Sequence, residues 1–246
     1  MRKGVRSGSS SRSQAASRAL LRIDGKPVSV AIKLNPRARR LIVKVHPSTG
    51  EVTVTAPSQR SLERALRFAQ GESRWIARQL SRVPQRVDFA PGAKVPFLGH
   101  EHVIEHVERG TVRDADARVI RIGGQREFVA RRLTDFLKRE AKRELETRSH
   151  AFAARIDAKV RRVSVRDTAS RWGSCSTKGS ISYCWRLVMA PEFVLDYVVA
   201  HEVAHLREMN HGPRFWKLVR SIVPDVRTPR NWLHTHGNLL HRYGAR

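Results

Sequence analysis

Apolar positions scarcely occur in the first eighteen residues, MRKGVRSGSSSRSQAASR, and no period organises them. A segment of this kind cannot bury enough surface to offset its ordering, so residues 1–18 read as a disordered basic tail. Beyond it, Val28–Leu34 and Leu41–His46 alternate apolar and polar side chains, and Glu51–Ala56 does so after the turn Pro47-Ser48-Thr49-Gly50. A period of two predicts strands, here a meander with one buried face. Ser61 is placed to cap a helix carrying Leu62, Leu66, Phe68 and Ala69 on its apolar side. Gly71 breaks that pattern, and a second helix over 72–83, with Trp75, Ile76 and Leu80, stops at Pro84. From Phe89 to Gly124 further short strands recur between Gly and Pro turns. There is no internal repeat.

From Arg126 to about His150 the period becomes helical, through Phe128, Val129, Leu133, Phe136, Leu137, Ala141 and Leu145. A short helix near Ala151–Ile156 and a strand at Val160–Val165 follow. Trp172–Ser176 and Ile181–Met189 flank Thr177-Lys178-Gly179 and predict a hairpin. Pro191 suits a first helical turn and opens a helix to Glu208. Two more helices are expected, about Pro213–Val223 and Pro229–Arg242. The pattern predicts an α+β chain: an antiparallel β-rich region with two short helices over 19–124, and a helix-rich region over 125–246.

Length permits one large domain or two small ones: 246 residues can bury an ordinary core. Two cysteines, Cys175 and Cys184, are too few for a secreted disulfide framework and read as reduced packing residues. No apolar run approaches 18 residues, so no membrane span is predicted. The basic start has no apolar segment behind it, which argues against a secretory signal and for the cytoplasm. The net charge of +26, from 48 Lys and Arg against 22 Asp and Glu, points to an anionic partner such as nucleic acid or nucleotide. Of that charge, +10 lies in residues 1–40. No zinc finger, helix-turn-helix or aromatic-basic RNA signature accompanies it, so charge alone names no function.

The chemistry lies in one short run, His201-Glu202-Val203-Ala204-His205. At about 100° per residue, helical positions i and i+4 differ by roughly 40°, so His201 and His205 can share one Zn²⁺. Glu202 is turned away by about 100°. It stands near the metal without having to bind it, where it can take a proton from a zinc-bound water and pass it to a leaving group. His211 follows six residues after His205. Requiring this third imidazole lowers the chance occurrence of the pattern to roughly one in a thousand such chains. The spacing calls for a turn after Glu208, which Asn210 or Gly212 can supply through positive φ. No Glu follows Glu208, and Asp225 is the only later carboxylate. The ligand spacing is that of metzincins, but Glu208 stands where they carry Gly, and the last Met, Met209, precedes the third His. His100, His102 and His106 alternate along a strand, and His234, His236 and His241 fall on the last helix; one of the latter three could reach the cleft. There is no G-x-S-x-G elbow, P-loop or Rossmann fingerprint.

The run His201–His211 with Gly212, Pro213, Phe215 and Trp216 resembles the YgjP-like metallopeptidase domain family. Ser170-Arg171-Trp172-Gly173-Ser174-Cys175 is similar to its second signature, and Ala56-Pro57-Ser58 leads into a helix with Trp75-Ile76 as it does there. The resemblance spans about Val28 to Arg242, with a more distant likeness to SprT-like and WLM zinc proteases. It implies a zincin-like catalytic core, Zn²⁺ held by His201, His205 and His211, and Glu202 as catalytic base. The expected function is that of a zinc-dependent hydrolase, foremost a peptidase acting on protein or peptide. Ile181–Met189 is the expected partner of an extended substrate, by strand addition. The competing expectations are metal-dependent phosphoanhydride hydrolysis of a nucleoside triphosphate, and a nucleic-acid-associated protease or binding protein.

Overall fold

The structure, a computed structural model, describes residues 18–46, 49–83 and 85–244. The expectations for the tail through Ser17, for Pro47 and Ser48, and for Pro84 lie outside these residues. The chain divides into two compact units, Met1–Val83 and Pro84–Arg246.

In the first unit, β1 (Arg18–Ile23) and β2 (Lys26–Leu34) form a hairpin. Asp24 and Gly25 join them, with φ of 48° and 74°, the positive pair that a tight two-residue hairpin needs. Then come β3 (Ile42–Val45) and β4 (Val52–Ala56), in the sheet order β1-β2-β4-β3. A meander would have paired β2 with β3. Instead β2 runs parallel to β4, with Val30 opposite Val52 and Ile32 opposite Val54, so that Val30, Val52 and Val54 enter one core with Ala65 and Ala69 of α1 (Leu62–Gly71) and Ile76 of α2 (Ser73–Ser81). Ser61 does precede α1, but its hydroxyl closes a local turn, donating to the Ser58 carbonyl (2.7 Å) and accepting from the Ser58 amide (3.0 Å).

The second unit opens with β5 (Lys94–Phe97), β6 (His100–Val107), β7 (Thr111–Asp114) and β8 (Val119–Gly123), ordered β5-β6-β8-β7 with β6 and β8 parallel. Phe97, Ile104, Ile120 and Ile122 share a core with Leu133, Phe136 and Leu137 of α3 (Val129–Arg155). The division therefore falls at 83/84 rather than at 124/125: this sheet has its apolar face in the same core as the helices that follow it. α3 runs 27 residues without a break and absorbs the separate helix expected at 151–156. Buried side chains recur along it at three- and four-residue spacing from Val129 to Ala153.

A three-stranded sheet follows, from β9 (Arg162–Arg166), β10 (Gly173–Cys175) and β11 (Ser180–Cys184), ordered β10-β11-β9. β11 lies in the middle, antiparallel to β10 and parallel to β9. Both of its edges are taken, and after Cys184 the chain turns into a 3-10 helix over Trp185–Met189. The strand expected over Ile181–Met189 is thus short and closed to an added strand; the open edge beside the helix that follows belongs to β10. Arg186 leaves the 3-10 helix fully buried, bonded to both carboxylate oxygens of Asp167 and to the carbonyls of Leu240 and Tyr243. α4 (Glu192–Ala204), α5 (Pro213–Ile222) and α6 (Arg227–Leu240) complete the fold. Arg148 of α3 binds Glu192 (2.8 Å) and Asp196 (2.9 Å) of α4 and also Glu144, locking the two helices in register. The fold is α+β with antiparallel-rich N-terminal sheets. No helix among the described residues is long and apolar enough to cross a membrane.

Candidate functional site

α4 is apolar nearly all round, with Val194, Leu195, Val198, Val199, Val203 and Ala204 buried. A helix of this kind is held on every side, so its polar residues are fixed in place. His201 lies in its last turn, and His205 stands just past the final helical residue as the C-cap. The helix thus ends four residues earlier than expected. The return to His211 needs no left-handed residue: Gly212 is extended (φ −79°, ψ −175°), and Asn210 is absent from the positive-φ positions. Instead the amides of Arg207 and Glu208 bond the Ala204 carbonyl and wind the chain back. Gly212 then caps α5, with Pro213 in its first turn.

One ring nitrogen from each of His201, His205 and His211 falls within 4.8 Å of the others. Nε2 of His201 and Nε2 of His211 are 3.1 Å apart. Nδ1 of His205 is 3.0 Å from the Glu208 carbonyl oxygen, a bond it makes only as donor, which leaves Nε2 as a lone pair. Phe215 is wholly buried beneath all three rings, its centroid 4.9, 4.6 and 4.7 Å from theirs. Burial lowers the His201 pKa to about 4, helped by the neighbouring His205, His211 and Arg230. Burial also lowers that of His205.

Glu202 is 6% exposed, and its pKa is pushed up to about 7 by burial, against the pull of the Arg171 guanidinium. Its carboxylate lies against Gly173 of β10: a methyl group there would come within 2.6 Å of Cγ and Oε1. Gly173 is thus a glycine because the carboxylate occupies the space of a side chain. Trp172 in turn packs on the buried ring of His241 (5.2 Å) and against Gly237 of α6.

A cleft of about 660 Å³ opens beside His201 and Glu202 and is walled by Arg171, Arg227, Arg230 and His234. Of the three C-terminal histidines only His234 lines it; His236 stacks on Trp232 and His241 is buried. A second hollow adjoins His205 at the β10–β11 turn, Ser176 to Gly179. β10 runs between the two. Asp225 is not in the imidazole cluster; its carboxylate accepts from the amides of Arg227 and Thr228 at the start of α6. Cys175 lies opposite Ile181, not Cys184, and both thiols are free. His102 is buried within its sheet, its Nδ1 2.8 Å from the His100 carbonyl and its Nε2 3.4 Å from Arg113. The spacing of the histidines foretold the cluster. Gly173 stands in the Ser170–Cys175 signature and His234 among the histidines expected near the cleft, whereas Arg227 and Arg230, 16 and 19 residues after His211, are linked to it by no local pattern.

An α+β chain that gathers three imidazoles, one of them lining a cleft together with a buried carboxylate, has the makings of a metallopeptidase. Residues 39–236 match the model of the YgjP-like metallopeptidase domain, and the chain belongs to that family. The crystal structure of the metallopeptidase zymogen of Pyrococcus abyssi abylysin is similar to part of it, at 21% identity over 39% of this chain and 94% of that one, with a TM-score of 0.34. No curated protein matches.

Proposed function

We propose that the protein is a zinc-dependent peptidase in which His201, His205 and His211 hold the metal and Glu202 is the general base. The convergence of the three imidazoles beside the Glu202 carboxylate carries this reading. The donor set fits the ion. Ligands at about 2.0–2.1 Å from a tetrahedral Zn²⁺ lie about 3.3 Å apart, close to the 3.1 Å between the His201 and His211 nitrogens. The Glu208 carbonyl orients His205 from behind, as the outer partner of a metal-bound imidazole does. When bound, Zn²⁺ supplies Lewis acidity and brings the pKa of a coordinated water toward neutral.

The chain's own groups do the rest. The Glu202 carboxyl, held near neutral pKa by burial, accepts a proton from the attacking water and returns it to the leaving amine. An extended substrate pairs with the free edge of β10, which leads from the Arg171–Arg230 cleft past Glu202 to the hollow beside His205. The test is Glu202→Gln, which should keep zinc and lower hydrolysis of unfolded protein by about 10²-fold or more; hydrolysis at the wild-type rate would refute the assignment of the base.

A second reading is favoured by the cleft wall. Arg171, Arg227 and Arg230 beside a metal site suit a triphosphate, and the reaction would then be phosphoanhydride hydrolysis. One zinc-loaded preparation assayed against unfolded protein and against nucleoside triphosphates separates the two. The overall charge also suits a nucleic-acid partner, which a salt titration of single-strand binding would reveal.

A further inference from the structure

The sheet of β9, β10 and β11 has a second concavity, on the face turned away from α4. Val163, Ile181 and Tyr183 point inward and are buried. The alternate positions point outward, where Ser164, Ser182 and Ser174 lie in register, one per strand, as a row of hydroxyls across the sheet. Arg162 and Arg166 flank the row on β9, and Arg171 stands at its other end. Together they line a hollow of about 480 Å³ with no carboxylate among its lining residues. Among the described residues none of the three arginines is in an ion pair. The cleft on the opposite face is similar in charge: Arg171, Arg227 and Arg230 line it, and Glu202 is its only carboxylate. Arg171 belongs to both hollows, and β10 is the edge between them.

We propose that the protein selects acidic polypeptides, whose carboxylate side chains enter the two arginine-lined hollows on opposite faces of β10. The inference rests on the peptidase reading and names its substrate class. Its physical basis is the alternation of an added strand. Successive side chains of a guest paired to β10 point to opposite faces, so one set enters the cleft beside Glu202 and the other lies over Ser174 and Arg171. A guest on β10 is three strand spacings from β9, about 14 Å. Arg162 and Arg166 act on it across the hollow they share with Ser174 and Arg171, most strongly at low salt, where the Debye length exceeds about 10 Å. A guest rich in Lys or Arg would meet an excess of like charge on both sides, three arginines against one carboxylate in the cleft and arginines alone in the outer hollow. A nucleic-acid strand has no two-faced alternation, and the outer hollow has no lining aromatic on which bases could stack.

The test uses the full chain carrying Glu202→Gln, which binds without turnover, and a pair of fluorescently labelled peptides of about twelve residues that differ only in Glu or Gln at several positions of both parities. Binding is read by anisotropy. The Glu peptide should bind about tenfold more tightly at low salt, the sum of two or three exposed ion pairs, and the preference should shrink as salt screens it. Arg166→Gln on the outer face and Arg227→Gln in the cleft should each lower the Glu:Gln ratio about threefold, with the circular dichroism unchanged. Equal binding of the two peptides, or a ratio that neither substitution moves, would overturn the proposal. So would a single-stranded oligonucleotide that displaces the Glu peptide at lower concentration than the unlabelled peptide itself. Cleavage is a separate arm with the zinc-loaded wild type: selective binding upholds the acid preference even where neither peptide is cut, and that failure counts against the peptidase reading alone.

Discussion

The contact between Gly173 and Glu202 makes a quantitative demand. In Gly173→Ala the new Cβ would stand 2.6 Å from Cγ and Oε1 of Glu202, where ordinary contact begins at about 3.4 Å. Something must yield by about 0.8 Å. Glu202 is attached to a helix buried on every side, and Gly173 is paired with Tyr183 in β11, so the carboxylate is the part free to swing. A displacement near 1 Å from productive geometry costs on the order of 100-fold in rate, while overpacking costs about 1–3 kcal/mol of stability. We expect Gly173→Ala to remain folded and to bind zinc with near wild-type affinity, because the three imidazoles are untouched. Its kcat on a peptide should fall about 100-fold. Combining it with Glu202→Gln should lower the rate no further than Glu202→Gln alone, since both act through one carboxylate. The assays are metal content, thermal melting and initial rates on one zinc-loaded preparation of each variant. A folded, zinc-replete Gly173→Ala enzyme with kcat within threefold of wild type would refute the reasoning.

Glu202→Gln should lose on the order of 10²- to 10⁴-fold in turnover while zinc content stays at the wild-type level, read by elemental analysis beside the rate assay. His211→Ala should lower zinc affinity by more than the roughly 10- to 100-fold that outer-shell changes cause; unchanged affinity by competition with a chelating dye would remove His211 from the site. Arg186→Ala removes a buried guanidinium that bonds the Asp167 carboxylate and the carbonyls of Leu240 and Tyr243 and should cost about 1.5–3 kcal/mol, or about 3–12 °C in Tm for a unit of this size; a calorimetric shift below about 2 °C contradicts it. His102 is held below its ordinary pKa of 6.5 by desolvation, which outweighs its bond to the His100 carbonyl, with Arg113, His100 and Arg118 adding to the effect. The unfolded chain therefore binds the proton more readily, so this contribution is constant above about pH 6.5 and stability falls as the pH drops below it. His102→Asn should flatten that limb; parallel declines in urea midpoint for both proteins between pH 7.5 and 5.5 would contradict this.

How far the sequence disclosed the molecule depended on the distance over which each feature is encoded. His201, His205 and His211 lie within eleven residues, and helical spacing plus one turn brings them together, so the cluster could be read directly. The three N-terminal strands expected from alternation also appear, to within a residue or two. Their pairing could not be read, because β2 finds β4 across an intervening strand, and alternation says which face is buried but not which neighbour is beside it. Alternation does not disclose β1, because Leu20 points to solvent, although the Asp24-Gly25 pair announces a hairpin. That the edge left open is β10 and not 181–189 has the same origin: whether a strand is central or at an edge is a property of the sheet. Likewise Gly173 is silent in one dimension and explained by a single carboxylate in three.

β10 has a consequence beyond the reaction. A free sheet edge that accepts a guest will also template another copy of the chain, and proteins that keep long flat edges open tend to aggregate. Here the edge is three residues, Gly173-Ser174-Cys175, too short and too poor in β-branched side chains to nucleate a ladder with itself. Arginines on both of its faces would meet their own kind in any symmetric pairing of two molecules. Lengthening this strand with valine or isoleucine, or neutralising its flanking arginines, should therefore make the protein prone to self-association: the traits that keep the edge weak toward its own kind also leave it vacant.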